Sequence, residues 1–383
     1  MHKRAFTVRG TAYRPHERVM VIAEIGTAHN GSLDRAKELI DAARTSGADA
    51  VKFQIVYADE ILHPDTGFVT LPGGTIRLYD RFRELEVKPE FYAEAAAYAR
   101  TSGIGFLASP FGFKSLAELD ALDPDCVKIA SPELNHFPLL EAASRLDKPV
   151  ILSSGVSTLG DIERALASAR GATEVALLHC VTSYPAPEAD YNLAVLESLA
   201  SVFGVPVGLS DHSLHPILVP LLSIAAGAVI VEKHICLSKS DPGLDDPVAL
   251  APEDFARMTG AIRDALADAR GADDVKTRIV ERLSAEHGRE TIERILGDGV
   301  KRLAPSEREN YARTNRSLHY MGDLGEGSVV TARDVAILRT EKVLTVGLSP
   351  DCLDAVVGAR LARDVRSGAG VSWEDFLSRP FPR

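Results

Sequence analysis

The sequence predicts a TIM (β/α)8 barrel followed by a small second domain. Short apolar runs of strand length alternate with helix-length segments through most of the first 270 of the 383 residues. Consecutive βα units of this number are typical of a closed barrel of about 250 residues. A doubly wound open sheet is the alternative, but no glycine-rich phosphate-binding motif follows the first strand. The repeat therefore favours the barrel.

The predicted strands are short apolar runs bounded by polar or turn-forming residues. A parallel strand that is buried on both faces has such a continuous apolar run instead of an alternating pattern. The first strand, residues 19–25, has the sequence V-M-V-I-A-E-I. The other seven are residues 50–55, 104–109, 126–131, 149–153, 174–179, 205–209 and 228–231.

The predicted helices lie after these strands, and several have start or stop signals. Ser32 can cap the first helix, while Gly47 and Gly103 can end the first and second. The eight helices are residues 33–46, 89–102, 114–121, 138–146, 158–170, 193–202, 217–227 and 252 to about 269.

The connection between the second strand and the second helix is longer than most βα loops. Its length is typical of a lid or a substrate loop. It contains Pro64, Gly67, Pro72, Gly73 and Gly74.

Composition restricts the class of function. The chain has 43 Lys and Arg against 54 Asp and Glu, a net charge of −11 without a basic block, which argues against nucleic-acid or anionic membrane partners. No apolar run approaches the roughly 18–20 residues that span a bilayer, and the N-terminus has no apolar signal-peptide region. The four scattered cysteines predict core residues in a reducing compartment. We therefore expect a cytoplasmic protein.

Polar residues collect at the carboxyl ends of the predicted strands, the end at which parallel α/β folds bind ligands. Lys52 and Gln54 are two apart and share one face of their strand, as do Glu232 and His234. The whole set is Glu24, Lys52, Gln54, Ser109, Lys128, Ser131, Glu133, Ser153, Ser154, His179, Tyr184, Ser210, Asp211, His212, Glu232 and His234.

Two histidines end neighbouring predicted strands, close enough to share one metal ion. His212 and His234 each have a carboxylate one or two residues earlier, Asp211 and Glu232. Imidazole suits divalent transition metals. A satisfied buried side chain is the alternative for either histidine alone, but the pairing favours a ligand or catalytic group.

Two lysines near the ends of the second and fourth strands predict an anion pocket. A charged residue inside a strand carries a large desolvation cost unless it is paired. Lys52 and Lys128 could form structural ion pairs, but the serines around them favour a phosphate or carboxylate ligand.

Seven segments of the barrel resemble one family in the same order. They are V-I-A-E-I-G-T-A-H-N-G from Val21, A-D-A-V-K-F-Q from Ala48, V-K-I-A-S-P-E from Val127, S-S-G-V-S-T-L from Ser153, L-L-H-C-V-T-S-Y-P-A-P from Leu177, G-L-S-D-H-S from Gly208 and V-E-K-H from Val231. The family is that of the sialic acid synthases, the N-acetylneuraminate synthases and their legionaminic and pseudaminic acid relatives.

This resemblance implies a metal-dependent condensation of phosphoenolpyruvate with an N-acetylated aldose, N-acetylmannosamine or a related sugar. The products would be a nonulosonic acid and inorganic phosphate, and a cell-surface polysaccharide pathway is the implied context. His212 and His234 would hold the divalent metal, Mn²⁺ or Mg²⁺. Phosphoenolpyruvate binding is implied for Lys52, Ser109, Lys128, Ser131, Ser153, Ser154 and Ser210. Catalytic or sugar contacts are implied for Glu24, Gln54, Glu133, Tyr184, Asp211, Glu232 and Asp245.

The remainder of the chain is predicted to form a helical connector at 271–312, after the barrel at 1–270, and a C-terminal domain at 313–383. A solvated linker is the alternative for the connector. The segment R-S-L-H-Y-M-G-D-L-G-E-G from Arg316 resembles the antifreeze-like (SAF) domain that ends these synthases. The resemblance implies a homodimer with swapped C-terminal domains, in which Arg316 reaches the partner's sugar. The family usually has two adjacent arginines, whereas here the first position is Asn315.

The segment after the eighth strand departs from the family pattern. The family has G-P-D-H, two further residues and S-L, whereas this chain has G-L-D-D-P-V-A-L from Gly243. Asp245 is kept, but Asp246 replaces His and Ala249 replaces Ser. We therefore expect the reaction to be retained and the aldose to differ from N-acetylmannosamine.

Two other functions remain open from the sequence. One is a non-catalytic carbohydrate-binding protein, against which the intact histidine and lysine pairs argue. The other is a different phosphoenolpyruvate-condensing barrel, making a deoxyheptulosonate or octulosonate phosphate, which would usually lack the antifreeze-like tail.

Overall fold

Eight parallel strands form a closed barrel, as the sequence predicts. The computed structural model describes residues 5–71, 74–241, 243, 245–267 and 271–376. Each barrel strand pairs in parallel with the next along the chain, and the last closes on the first. The strands are β1 (Met20–Gly26), β2 (Ala50–Ile55), β3 (Gly105–Pro110), β4 (Cys126–Ile129), β5 (Val150–Ser153), β6 (Val175–Cys180), β7 (Val207–Asp211) and β8 (Ile230–His234).

The last two strands run further than predicted. We expected them to end at residues 209 and 231, before the polar residues, but they end at Asp211 and His234. Ser210 and Asp211 are opposite Glu232 and Lys233 in the strand pairing. The strands continue because these polar side chains are paired with one another, so their burial is compensated.

All eight predicted helices surround the barrel. Ser32 caps the first, its Oγ accepting from the N–H of Arg35 at 3.3 Å. The last helix was expected to reach about residue 269, but it ends at Leu266, and residues 268–270 are outside the described ranges. The helices are Leu33–Thr45, Pro89–Thr101, Phe113–Ala121, Phe137–Ser144, Leu159–Ser168, Val195–Phe203, Leu218–Ala225 and Pro252–Leu266.

The N-terminal end of the barrel is closed by a hairpin that the sequence analysis missed. Strands Phe6–Val8 and Thr11–Tyr13 pair antiparallel. Phe6, Val8 and Tyr13 are buried in one cluster with residues from the bottom of the barrel strands. The hairpin therefore covers the end of the barrel opposite to the predicted site residues.

The long connection after β2 is partly structured. It contains a short helix, Ala58–Ile61, a hairpin of strands Phe68–Leu71 and Gly74–Arg77, and a second helix, Leu78–Arg83. Pro72 and Gly73, which we cited for this loop, are outside the described residues. The connection lies at the open end of the barrel, where Phe82 and Leu85 line the cavity described below.

The predicted connector contains two helices, Ala272–His287 and Arg289–Leu296. The apolar residues Val275, Ile279 and Leu283 of the first helix are buried in the same core as the barrel helices. A solvated linker is therefore wrong for this part of the connector. The exact domain boundaries at 270 and 312 stay a prediction.

The C-terminal domain has its own small core. Strands β9 (Arg316–Tyr320) and β10 (Val335–Arg339) pair antiparallel, and Leu318 and Tyr320 are buried with six other apolar residues of the domain. Residues 377–383 are outside the described ranges. Among the helices of the described chain, none is long and apolar enough to cross a membrane.

Candidate active site

The carboxylate of Glu232 lies between two lysines inside the open end of the barrel. Its Oε1 is 3.7 Å from Lys128 Nζ and its Oε2 is 3.8 Å from Lys52 Nζ. Ser210 Oγ donates a hydrogen bond to Oε1 at 2.9 Å. Burial alone would raise the pKa of Glu232, but the ammonium groups of Lys128 and Lys52 lower it to about 2. The carboxylate is therefore ionised at neutral pH.

Lys52 is held by residues from three neighbouring strands. Its Nζ forms a 2.7 Å ion pair with Glu24 Oε2 and lies 3.3 Å from Ser109 Oγ. Gln54 Nε2 donates to the other oxygen of Glu24 at 2.7 Å. This arrangement unites four of the predicted site residues.

Lys128 is grouped with serines. Its Nζ donates to Ser153 Oγ at 2.7 Å and to the carbonyl of Ile129 at 3.1 Å. Ser131 Oγ accepts from the N–H of Gly155 at 3.0 Å. Burial lowers the pKa of Lys128, so an added anion would be the favourable partner for its charge.

Residue 155 has to be glycine because its backbone lies against the hydroxyls of Thr182 and Ser131. A Cβ at this position would lie 2.0 Å from Thr182 Oγ1 and 2.9 Å from Ser131 Oγ. Such contacts are far shorter than van der Waals separation. Only glycine therefore lets the backbone approach these hydroxyls.

The structure confirms the ion pairs of the two lysines, and the anion pocket stays a prediction. Lys52 and Lys128 form ion pairs inside the protein, and they also lie beside serine hydroxyls at the ligand-binding end of the barrel. Glu24 and Glu232 balance the charge of the two lysines. A multiply charged anion would therefore need a further cation nearby.

The two histidines face each other on the inner side of the barrel, and their ring centroids are 5.7 Å apart. The carbonyl of Val181 accepts a hydrogen bond from His212 Nδ1 at 2.9 Å, which leaves Nε2 available to a ligand. Asp245 Oδ2 lies 3.9 Å from His234 Nδ1. These donors fit a divalent metal bound by two imidazoles, with oxygens from water or substrate completing its coordination.

The protonation states of the two histidines affect metal binding, because a metal ion binds an imidazole nitrogen that carries no proton. Burial lowers the pKa of His234, which keeps its imidazole neutral. Burial also lowers the pKa of His212, but the Cys180 sulfur, 3.7 Å from Nδ1, raises it to about 9. Metal binding would therefore displace a proton from His212. Within the described ranges, no three His, Cys, Asp or Glu side chains form a ready-made metal cluster.

Tyr184 lies over the histidine pair. Its ring stacks on that of His212 with centroids 4.2 Å apart, and Tyr184 is half exposed. Tyr184 and Asp245 line a cavity of about 410 Å³ that also includes Gln54 and Thr27. Tyr184, Asp245 and Gln54 were all predicted to contact the sugar.

The predicted inward placement is wrong for Asp211, Ser154 and His179, which face away from the interior of the barrel; His179 Nε2 donates to the carbonyl of Tyr191 at 2.6 Å. The carboxylate of Asp211 pairs with Lys233 at 2.6 Å and accepts from Tyr191 OH at 2.6 Å. Ser154 Oγ donates to the carbonyl of Leu178 at 3.0 Å. Their neighbours His212 and Ser153 face inward, and alternation along a strand turns the adjacent residue outward. Neither the carboxylate of Asp211 nor the hydroxyl of Ser154 therefore points into the interior of the barrel.

Asp246 also has a local role. Its Oδ2 accepts from the N–H of Gly243 at 2.8 Å, and its side chain is buried within the loop after β8. Ala249 is buried as well. The two departures from the family pattern therefore lie buried in the loop that carries Asp245.

Glu133 connects the barrel to the C-terminal domain of the same chain. Its Oε1 accepts from Arg316 at 3.0 Å and from Arg339 at 2.7 Å. These arginines are directly opposite each other in the β9–β10 pairing, so they share one face of the sheet. Glu133 Oε2 is buried, and no residue in the described part of the chain donates a hydrogen bond to it.

Arg339 is a site residue that sequence reasoning missed. It lines the cavity together with Lys342, whereas Arg316 is fully buried and also donates to the carbonyls of Phe111 and Glu60. Nothing local in the sequence pairs Arg339 with Arg316, because 22 residues separate them. A contribution of Arg316 to a partner's site stays a prediction.

Glu232 is expected to contribute stability that depends on pH. Its pKa is about 2 in the folded chain and about 4.5 ordinarily, so its contribution is complete above about pH 4.5 and is lost as the pH falls towards 2. In Glu232→Gln, the loss of unfolding free energy relative to wild type should be largest near neutral pH and should shrink at about pH 3.

Urea unfolding of both proteins at the two pH values measures this difference. Glu197→Gln is a control, because Glu197 forms only an exposed ion pair with Lys276. If the unfolding free energy of Glu232→Gln were lower than that of wild type by the same amount at both pH values, the lysines would not be holding Glu232 ionised.

The chain matches known proteins along most of its length. Residues 39–273 match the NeuB family, and residues 315–377 match the SAF domain. The spore coat polysaccharide biosynthesis protein SpsE of Bacillus subtilis is 32% identical over 383 residues, which cover 99% of each chain. The N,N'-diacetyllegionaminic acid synthase of Legionella pneumophila is 32% identical over 365 residues, covering 92% of this chain and 93% of that protein.

Solved structures agree with these matches. The crystal structure of Bacillus subtilis SpsE superimposes with a TM-score of 0.81 at 30% identity, covering 98% of this chain and 100% of the other. The N-acetylneuraminic acid synthetase of Leptospira borgpetersenii superimposes with a TM-score of 0.61 at 28% identity, covering 81% and 96%. The family resemblance of the barrel motifs and of the C-terminal domain is thus confirmed.

Proposed function

The chain belongs to the NeuB family, and from this premise we propose that it condenses phosphoenolpyruvate with an N-acetylated aldose. The products are a nonulosonic acid and inorganic phosphate, and one water is consumed. One observation carries the proposal: Lys52 and Lys128 flank the carboxylate of Glu232, which shares the inner face of its strand with His234, one of the two paired histidines. Relatives named as nonulosonic acid synthases support the same reaction.

The lysine–serine group supports binding of phosphoenolpyruvate. Lys128 with Ser153, and Lys52 with Ser109, offer charge-assisted hydrogen bonds to phosphate and carboxylate oxygens. Ser131 lies against the N–H of Gly155 in the same part of the barrel. The bound anion would replace part of the ion pairing that Glu24 and Glu232 provide to the two lysines in the free enzyme.

The carboxylates support the chemical step. C3 of phosphoenolpyruvate attacks the aldehyde carbon of the open-chain sugar, and positive charge develops at C2. Glu232, which is ionised at neutral pH, can stabilise that charge and orient the water that adds to C2. The tetrahedral centre then expels phosphate. Glu133, whose Oε2 accepts no hydrogen bond from the described residues, is the other carboxylate available for this role.

We propose that the reaction depends on Mn²⁺ or Mg²⁺ held by His212 and His234. A divalent ion there would polarise the aldehyde oxygen of the sugar and would add positive charge to a site whose lysines are already balanced. The neighbouring Asp245 and the stacked Tyr184 would orient the sugar beside it.

The test is phosphate release from phosphoenolpyruvate with Mn²⁺ across a panel of N-acetylated aldoses, with each product checked by mass. We expect release with an aldose other than N-acetylmannosamine, such as a legionaminic or pseudaminic acid precursor. Efficient turnover of N-acetylmannosamine alone would contradict the altered specificity. No release with any N-acetylated aldose, together with release from an aldose phosphate, would contradict the proposed function.

Arg339→Met is expected to raise the KM for the aldose and to leave that for phosphoenolpyruvate unchanged. Arg339 lines the cavity, and a hydrogen bond from a charged group contributes about 1.5–3 kcal/mol. We therefore expect kcat/KM for the sugar to fall about 10- to 100-fold, as measured by initial rates with each substrate varied.

Arg164→Met is the control for that experiment, because Arg164 also pairs across to the C-terminal domain, through Asp351, but does not line this cavity. An equal loss in both variants would mean that Arg339 only holds the domains together. A homodimer with swapped C-terminal domains remains part of the proposal, supported by the family resemblance alone.

A further inference from the structure

The two histidines have sequence neighbours that pair on the outside of the barrel. Asp211 precedes His212 and Lys233 precedes His234, and Asp211 is directly opposite Lys233 in the β7–β8 pairing. Alternation sends the histidines inward and their neighbours outward. The Asp211–Lys233 pair and the two imidazoles therefore lie on opposite faces of the same two strands.

The outer pair is tightly bonded and has no contact with solvent. Lys233 Nζ lies 2.6 Å from Asp211 Oδ2, and both side chains are fully buried. Lys233 also donates to the carbonyl of Ser213, whose own N–H and Oγ donate to Asp211 at 2.9 and 3.1 Å. These bonds fix the backbone on both sides of His212.

Tyr191 extends the group to His212 itself. Its hydroxyl donates to Asp211 Oδ1 at 2.6 Å and accepts from the backbone N–H of His212 at 2.8 Å. Tyr191 is fully buried. One hydroxyl thus joins the carboxylate of the ion pair to the backbone of His212.

We infer that Asp211, Lys233 and Tyr191 form a positioning network that sets the affinity of the His212–His234 pair for a divalent metal. The inference rests on the proposed function. A buried ion pair is a poor source of net stability, because desolvation offsets much of its attraction, whereas it fixes geometry well. Groups behind the ligands of a metal commonly change its affinity on the order of 10- to 100-fold when they are lost.

The experiment measures Mn²⁺ binding to the full chain by isothermal titration, in wild type, Tyr191→Phe and Lys233→Met, beside thermal unfolding of each. Tyr320→Phe is the matched control, because Tyr320 is also fully buried and donates to an aspartate, Asp375, at 3.0 Å in the C-terminal domain. Lys233→Met leaves Asp211 buried without its cation and can fail to fold. If Lys233→Met does not fold, the test depends on Tyr191→Phe, which removes only one hydroxyl.

We expect Tyr191→Phe to weaken Mn²⁺ binding at least about 10-fold, and Tyr320→Phe to leave it unchanged at a similar loss of melting temperature. Unchanged Mn²⁺ affinity in folded Tyr191→Phe would overturn the inference and leave the proposed function intact. Equal weakening in both tyrosine variants would overturn it too, since loss of stability alone would explain the effect. A wild type that binds no Mn²⁺ but releases phosphate would refute the metal dependence and the inference together.

Discussion

Lys128→Met is expected to lower kcat for phosphate release on the order of 10²- to 10³-fold. Lys128 is buried, donates to Ser153 Oγ at 2.7 Å and lies 3.7 Å from Glu232. A preorganised cation in such a site stabilises the charge that develops on the departing phosphate, and loss of one such donor has effects of this size. Initial rates at saturating phosphoenolpyruvate measure the change.

Lys301→Met is the control for Lys128→Met. Lys301 donates to the carbonyl of Ser154, one residue from Ser153, but lines a separate cavity beside His179 and Glu307. We expect its kcat to stay close to that of wild type. Lys128→Arg tests whether positive charge alone is sufficient for a normal kcat, because a guanidinium keeps the charge but does not fit the position of an ammonium. A Lys128→Met enzyme with nearly wild-type kcat would remove Lys128 from the phosphate site.

The barrel could be predicted because its strands are apolar on both faces and its helices have local boundary signals. The N-terminal hairpin could not be predicted in the same way. Phe6, Val8 and Tyr13 alternate over two strands of only three residues each, a pattern too short to distinguish from a loop. Its burial comes from packing under the barrel, which is a tertiary effect.

The sequence analysis chose inward-facing side chains where it took every second residue of a strand, and it included outward-facing ones where it took two adjacent residues. Lys52 with Gln54, and Glu232 with His234, share the inner face. Asp211 beside His212, and Ser154 beside Ser153, cannot share a face in a regular strand, so one of each pair had to point outward. Strand alternation alone would have found these errors.

Arg339 shows what sequence reasoning could not supply. It reaches Glu133 only because β10 pairs antiparallel with β9 in a register that sets it opposite Arg316. That register depends on the packing of the C-terminal domain, which no short motif encodes. In this chain the second guanidinium on Glu133 comes from the next strand, and Asn315 instead donates to the carbonyl of Val156 at 3.2 Å.

His234→Ala is expected to abolish both Mn²⁺ binding and phosphate release. Only two imidazoles of the protein would hold the ion, so removal of one should weaken binding by more than the roughly 100-fold seen for groups behind metal ligands. Isothermal titration with Mn²⁺ and the phosphate-release assay measure the two effects on the same preparation. Prior treatment with a chelator should reproduce the loss of activity in wild type, and added Mn²⁺ should restore it there but not in the variant.

His287→Ala is the control, because His287 packs edge-on against His215 at 5.1 Å, away from the cavity. This control tests whether removal of an imidazole outside the cavity also disturbs the barrel. Wild-type activity that survives the chelator would refute the metal dependence, whatever the variants do. Loss of activity in His234→Ala with Mn²⁺ binding unchanged would instead assign His234 to the substrate, and the ion would then have to be held by His212 with other oxygens of the open end.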